Sequence, residues 1–151
     1  MLALLLMTAL VPVEYTGEKA QEIKIHAKAP TSGLQIHQTL AIKNLQELNL
    51  AVPANGTAKE YEEILAKQLK VKKIDWDKQM VIVVFGGKQP TGGYSVELKS
   101  LEAKDKKLIV HWKLKSPGPD DIVTQAITYP ELVLLVDRFD GQVAFDTAPK
   151  K

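Results

Sequence analysis

The chain has 151 residues, of which 45% are hydrophobic and 25% charged, and its formal net charge at pH 7 is +2. These values are typical of one globular domain, and so small a charge excludes the strong basic field of a nucleic-acid-binding surface. The absence of cysteine excludes disulfides, cysteine nucleophiles and thiolate zinc sites.

The first segment, MLALLLMTALVPV (residues 1–13), is apolar, has the length of a signal peptide and is too short to span a bilayer. It is atypical because no lysine or arginine precedes the apolar run and no clean small-x-small cleavage site follows it. We expect residues 1–20 to be an export leader, with a buried strand or a peripheral helix as alternatives. Residues 21–151 are then one extracytoplasmic domain (periplasmic, cell-surface or secreted) without stable membrane insertion.

The first part of this domain predicts two strands. Ile23 and Ile25 alternate with polar residues in 21–29, which indicates a half-buried strand. Turn residues occupy 30–33, and residues 34–42 favour a second strand. Residues 44–56 leave open a short helical turn followed by a loop.

One strong helix is predicted from Thr57, which forms a T-x-x-E capping box with Glu60. An apolar stripe at helical spacing follows and should dock onto a sheet; it consists of Tyr61, Ile64, Leu65 and Leu69.

The second part of the domain is predicted to be mostly strand. Residues 80–85 are apolar on both faces, which indicates a central buried strand. Residues 94–100 and 108–115 alternate around a turn at 103–106, which predicts an antiparallel hairpin. Residues 116–121 hold two prolines and form a rigid loop.

A further strand is predicted over residues 122–129, and because Pro130 interrupts it, the segment is an edge, a bend or a bulge. Residues 131–145 are predicted to form a terminal hairpin that turns at Asp140 and Gly141. The predicted fold is therefore α+β and mainly antiparallel β: a small curled sheet, barrel or sandwich packed with one helix.

The glycine-rich segment GGKQPTGGY (residues 86–94) does not match a phosphate-binding loop, because a strand rather than a helix follows it. His26, His37 and His111 are scattered at spacings that do not suggest a metal site. Ser95 lies in an alternating strand rather than on a sharp nucleophile turn. We therefore expect no catalytic residue, metal or cofactor, and a protein that is not an enzyme.

Three segments resemble the C-terminal domain of the protease complex subunit PrcB family. They are IDWDKQMVIVVFGGKQPTGGYSVEL, PGPDDIVTQAITYP and LVLLVDR, within residues 74–138. The resemblance implies an exported, non-catalytic domain whose partner is a protein, such as a secreted or surface protease that it helps to assemble or stabilise. The family's signature positions here end with Pro130, and the rigid glycine and proline chemistry of their loops makes the others candidate contacts with a partner: Gln89, Pro90, Thr91, Gly92, Gly93, Tyr94, Pro117, Gly118, Pro119, Thr124, Gln125 and Tyr129.

Two other interpretations of these residues stay open. The first loop is also similar to the N-P-T-T-G-Y loop of chagasin-like cysteine protease inhibitors, although Gln89, Gly92 and Val96 replace their asparagine, second threonine and tryptophan, and the R-P-W element is missing. The signature could instead be purely structural, with Gly92 and Gly93 shaping a bulge and Tyr94 packed in the core.

Overall fold

The computed structural model describes residues 21–53 and 55–147 as three stacked layers: helices, a four-stranded sheet and a three-stranded sheet. The predicted leader lies outside these residues. The elements in chain order are β1 (Ile25–Ala29), β2 (Leu40–Ile42), α1 (Leu45–Ala51), α2 (Ala58–Leu69), β3 (Gln79–Phe85), β4 (Ser95–Lys104), β5 (Lys107–Lys115), β6 (Glu131–Asp137) and β7 (Gln142–Thr147).

The two sheets face each other and do not close into a barrel. The four-stranded sheet has the order β1-β6-β3-β2 and is antiparallel throughout. The three-stranded sheet has the order β4-β5-β7, in which β5 and β7 run parallel. The α+β, mainly antiparallel fold is confirmed, and it is a layered sandwich.

The four-stranded sheet is the middle layer, so its central strands are buried on both faces. On β3, Val81 and Val83 pack with the helices, whereas Met80, Ile82 and Val84 pack with the three-stranded sheet. All five are fully buried, which confirms the prediction of a central strand from an uninterrupted apolar run.

The predicted helix is α2, and its capping box is present. The Glu60 N–H donates to Thr57 Oγ1, and the Thr57 N–H donates to Glu60 Oε2. Tyr61, Leu65 and Leu69 are buried as expected. The fourth residue of the stripe, Ile64, is 40% exposed, because it lies at the border of the docked face.

The expectation of a single helix is wrong, because α1 is a second one. Asn44 begins it, with Oδ1 accepting a hydrogen bond from the Glu47 N–H at 2.8 Å. Glu47 in turn accepts a bond from the Lys43 N–H at 2.7 Å. Asparagine followed three residues later by glutamate is a helix-start signal, and Leu48 buries the short helix in the core.

The second predicted strand is shorter than residues 34–42. Only Leu40–Ile42 pairs with β3, since Gln35 has a φ of 52° and breaks the extended run. Leu34 and Ile36 are nonetheless buried, so apolar alternation here reflects an irregular segment covering the core.

The hairpin of β4 and β5 is confirmed. Lys104 pairs with Lys107, and the two intervening residues, Asp105 and Lys106, have φ values of 54° and 60°. Positive φ at both positions is the type I′ geometry that suits the twist of a two-residue hairpin.

The predicted strand over residues 122–129 is wrong. These residues form no strand, and Thr128 makes a single isolated bridge with Gln89. The backbone of this segment bonds to the preceding loop at separate points, so no continuous ladder forms, and Ile122 is left fully exposed.

The predicted terminal hairpin is also wrong, because β6 and β7 belong to different sheets. Arg138 holds the chain where it leaves β6, with Nη1 donating to the Trp76 carbonyl at 2.6 Å and to the Lys43 carbonyl at 3.1 Å. Phe139 then enters the core between the sheets. The Asp140–Gly141 segment therefore carries the chain from one layer to the other, and β7 joins β5 in parallel.

Asp137 ties the end of β6 to the start of β1. Its Oδ2 accepts a hydrogen bond from the Lys24 N–H at 3.0 Å, and Nε2 of His26 lies 2.6 Å from its Oδ1. The Lys24 amide, followed by the His26 ring, lowers the pKa of Asp137 from its usual value. A lowered native pKa stabilises the fold above the unfolded pKa, and this contribution is lost as pH falls through the native pKa.

We expect Asp137→Asn to lower the free energy of unfolding at neutral pH and to leave it less dependent on pH below about 4. Urea unfolding at several pH values measures both effects, with Asp120→Asn, at an exposed loop aspartate, as the control. Equal acid sensitivity in wild type and Asp137→Asn would contradict this role.

Within residues 21–53 and 55–147, the structure contains no helix that is both long enough and apolar enough to cross a membrane.

Candidate protein-binding site

Two loops lie side by side at one end of the sandwich: the glycine loop (residues 86–94) and the proline loop (residues 116–130). The glycine loop follows β3 of the four-stranded sheet, and the proline loop follows β5 of the three-stranded sheet. Four backbone hydrogen bonds join them: Gly86 N–H to the Pro130 carbonyl at 2.7 Å, Gln89 N–H to Thr128 at 2.8 Å, Thr128 N–H to Gln89 at 3.0 Å, and Gly92 N–H to Thr124 at 2.9 Å. The two segments of the sequence signature are therefore one structural unit.

The glycines of the signature permit this close contact. A Cβ atom at Gly92 would lie 2.4 Å from Thr124 Oγ1. One at Gly93 would lie 2.7 Å from Val123 Cγ1 and 2.8 Å from Pro117 Cβ, and the φ of Gly93 is +85°. Signature positions of one loop thus face signature positions of the other.

This contact predicts coupling between Gly92 and Thr124. Gly92→Ala is expected to destabilise the domain by about 1–2 kcal/mol through overpacking, and adding Thr124→Ala should recover most of that loss because the clashing hydroxyl is removed. A double-mutant cycle from urea unfolding measures the coupling. Gln125→Ala, at the exposed neighbouring position, is the control and should give no recovery; equal recovery from it would contradict direct contact.

Side chains add one hydrogen bond between the two loops and one within the proline loop. Thr128 Oγ1 donates to the Thr91 carbonyl at 2.6 Å. The Gly118 N–H donates to Asp121 Oδ2 at 2.6 Å, and the Asp121 N–H returns a bond to the Gly118 carbonyl at 3.1 Å. These bonds, together with two prolines, hold the loops in a preformed arrangement.

The predicted contact residues differ in how far they reach solvent. Tyr94 is half-buried and lines a cavity of about 230 Å³ with Pro30 and Pro130. It is therefore neither a fully buried core residue nor a fully exposed contact residue. The more exposed positions are Pro90, Gly93, Gly118, Pro119, Thr124, Gln125 and Tyr129, and the half-buried ones are Gln89, Thr91, Gly92, Tyr94 and Pro117.

Ile122 and Ile127 are the residues that sequence reasoning missed. These two residues are 102% and 54% exposed, and Tyr129 in the same loop is 47% exposed. The sequence predicts a strand here, at an edge, a bend or a bulge, and does not single out either residue. A signal was available, since prolines flank this segment on both sides and Pro130 argues against a paired strand.

Aromatic rings extend this exposed surface. His37, from the irregular segment before β2, stacks on Phe85 and on Tyr129, with ring centroids 5.2 Å and 4.7 Å apart. Because parallel stacking restricts both exposed rings, Tyr129 is held at the edge of the proline loop.

The three histidines serve separate local contacts. His26 pairs with Asp137 on the four-stranded sheet, whereas His111 on β5 lies 3.1 Å from Asp146 Oδ2 and 3.2 Å from Glu102 Oε2. Across residues 21–53 and 55–147, no group of three or more histidine and acidic side chains has a metal-binding arrangement.

These observations define an α+β sandwich domain in which two preformed loops lie together at one end and the proline loop exposes large apolar side chains, as protein-binding surfaces do. Residues 80–137 match the family model described as PrcB C-terminal. The resemblance inferred from the sequence motifs is thereby confirmed, and the matched segment, from β3 to β6, contains both loops. No curated protein and no solved structure matches the chain.

Proposed function

We propose that this domain is a non-catalytic protein-binding module that contacts a partner through the glycine and proline loops. The observation that carries the proposal is the exposure of Ile122, Ile127 and Tyr129 on a loop whose backbone is fixed. This short surface segment carries two large aliphatic side chains and a tyrosine. A partner that covers them lowers the free energy by about 1.5–3 kcal/mol for each large apolar side chain that becomes fully buried.

The rigidity of the loops supports the same conclusion. Binding by a mobile loop costs conformational entropy, whereas loops already held by cross-loop hydrogen bonds lose little on association. The signature glycines allow the two loops to pack closely and so maintain their arrangement. The apolar side chains of the proline loop then make the contact with the partner.

We further propose that the partner is a secreted or surface protease, which the domain helps to assemble or stabilise outside the cytoplasm. The PrcB C-terminal match over residues 80–137 supports this partner class, and the apolar segment of residues 1–13 supports export.

The test uses Ile122→Asp/Ile127→Asp as the loop variant and Leu50→Asp as its matched control. Leu50 is 85% exposed but lies on α1, away from the loops. Both changes are at exposed positions and should alter stability by no more than about 0.5 kcal/mol per site. Each protein is used to capture partners from the native extracellular and envelope fractions. Captured proteases are eluted and labelled at their active sites, serine proteases with a fluorophosphonate and cysteine proteases with an epoxide.

We expect wild type and Leu50→Asp to retain a labelled protease and the loop variant to lose it. Equal recovery by all three proteins, or recovery by none, would contradict the proposal. Activity of the captured protease then separates two roles: an assembly subunit preserves or raises activity, whereas an inhibitor of the chagasin-like type lowers it.

A further inference from the structure

The two sheets have four edge strands, and three of them carry features that oppose pairing with another chain. β2 has only three residues. β1 pairs irregularly between Ile25 and Ala27, and β4 has a bulge between Leu98 and Ser100. Short strands and bulges are the common means by which proteins protect sheet edges.

β7 has none of these features. Its six residues, QVAFDT, include no lysine, arginine or proline, and its register with β5 is regular from Gln142 to Thr147. The Gln142 N–H donates to the Lys106 carbonyl, so the peptide groups of Gln142, Ala144 and Asp146 point towards β5. Those of Val143, Phe145 and Thr147 consequently point to the open side, where no strand pairs with β7 among residues 21–53 and 55–147.

We propose that β7 pairs antiparallel with β7 of a second copy of this chain, about a twofold axis at Ala144. In this register Val143 and the Phe145 of the second copy exchange both backbone hydrogen bonds, and the symmetry repeats the exchange. The unpaired peptide groups of Val143 and Phe145 in one copy then bond to those of Phe145 and Val143 in the other, as an antiparallel ladder requires.

The side chains in this register are self-complementary. Val143 and Phe145 both pack on the core between the sheets, so their pairing continues that apolar surface across the axis. On the outer face, Gln142 lies opposite Asp146 and Ala144 opposite itself, and no like charges meet. A second copy thus fits the edge without an unpaired charge.

The pairing turns two three-stranded sheets into one six-stranded sheet and leaves the glycine and proline loops outside the contact. The dimer therefore carries two copies of the candidate binding surface, and a partner that is itself multimeric would bind it with added avidity. The inference does not depend on the identity of the loop partner.

A single cysteine tests the register directly, because the chain has none of its own. Ala144 lies opposite itself in a non-hydrogen-bonded pair, where Cα atoms are about 4.5 Å apart, a distance that a disulfide spans. We expect Ala144→Cys to form a disulfide-linked dimer under mild oxidation. Ser100→Cys, at an exposed outer-face position on β4 at the opposite edge of the sheet, is the control and should remain monomeric on denaturing gels.

Charge reversal tests the same contact without a covalent bond. Ala144→Lys and Ala144→Glu should each be monomeric by sedimentation at about 100 µM protein, where mass action favours assembly, and an equal mixture should restore a dimer. The loop variant Ile122→Asp/Ile127→Asp should dimerise like wild type, which separates this inference from the proposed function. A monomeric wild type at that concentration, or cross-linking of Ala144→Cys no faster than that of Ser100→Cys, would overturn the proposal.

Discussion

Gly93→Ala is expected to lower the free energy of unfolding by about 2–4 kcal/mol, the sum of left-handed strain and overpacking. Gly93 has a φ of +85°, a conformation that costs an alanine about 1–2 kcal/mol. The added Cβ would also lie within 3 Å of Val123 and Pro117, and neither neighbour can rotate away easily, since one is β-branched and the other a ring. The effect should appear both in stability and in the order of the two loops.

Gly87→Ala is the control that separates these two causes. Its φ is +83°, but the nearest atom to an added Cβ is Gln89 Nε2 at 3.8 Å, so it should show only the backbone cost of about 1–2 kcal/mol. Urea unfolding of both variants gives the difference, and amide hydrogen exchange at residues 86–94 and 117–128 shows whether the loops separate. Equal destabilisation by the two changes would mean that the loop contact contributes nothing.

Gly141→Ala is expected to destabilise the domain by about 3 kcal/mol, at the upper end of overpacking costs. A Cβ atom there would lie 2.2 Å from the Lys106 carbonyl oxygen and 2.7 Å from Cε1 of the buried Phe139. The first obstacle is backbone within the tight turn between β4 and β5, and the second is a core ring. Relief therefore requires movement of the crossing between the two sheets.

Thermal and urea unfolding measure this effect, with Gly118→Ala as the control. The three atoms nearest to a Cβ at Gly118 belong to the carboxylate of the exposed Asp121, the first at 3.2 Å, so a small shift of this side chain and of its bond to the Gly118 N–H relieves the contact. If Gly141→Ala lowers the free energy of unfolding by less than about 1 kcal/mol, the turn between β4 and β5 moves easily to admit the Cβ atom. That result would contradict the rigidity expected of packed backbone.

Local patterns in the sequence predicted the elements that local chemistry determines. The Thr57 and Glu60 capping box starts α2 where expected, and the apolar run of residues 80–85 is the central strand β3. The alternation around Asp105 and Lys106 gives the hairpin of β4 and β5. In each case the deciding interactions lie within a few residues or within one periodic pattern.

The errors occurred where distant contacts decide. Residues 142–147 have the pattern of a hairpin strand, but Phe139 and the anchored Arg138 direct them to β5, in parallel. Residues 122–129 are predicted to be a strand but bond to the glycine loop at isolated points. Periodicity reports which side chains face a core and does not identify the partner of a strand.

The candidate site was predicted in part. The motif resemblance singled out signature positions on two distant segments, and the structure places these segments side by side. It did not single out Ile122 or Ile127, because an apolar residue in a presumed strand is expected to be buried. Their exposure follows from the tertiary bonding of the proline loop, of which the flanking prolines are the local sign.

The four-stranded sheet is covered on both faces, and this affects how its central strands β3 and β6 are aligned with each other. In a sheet with one wet face, shifting a strand by one residue exposes its apolar side chains, and this penalty fixes the register. Strands β3 and β6 are apolar on both sides, so a one-residue slip would exchange one buried set for another. The alignment must then be enforced at the strand ends, where the Gly86 N–H donates to the Pro130 carbonyl at 2.7 Å and the Arg138 N–H donates to the Lys78 carbonyl at 2.8 Å. A few hydrogen bonds at the strand ends therefore determine the alignment, because burial of apolar side chains alone distinguishes little between the possible alignments.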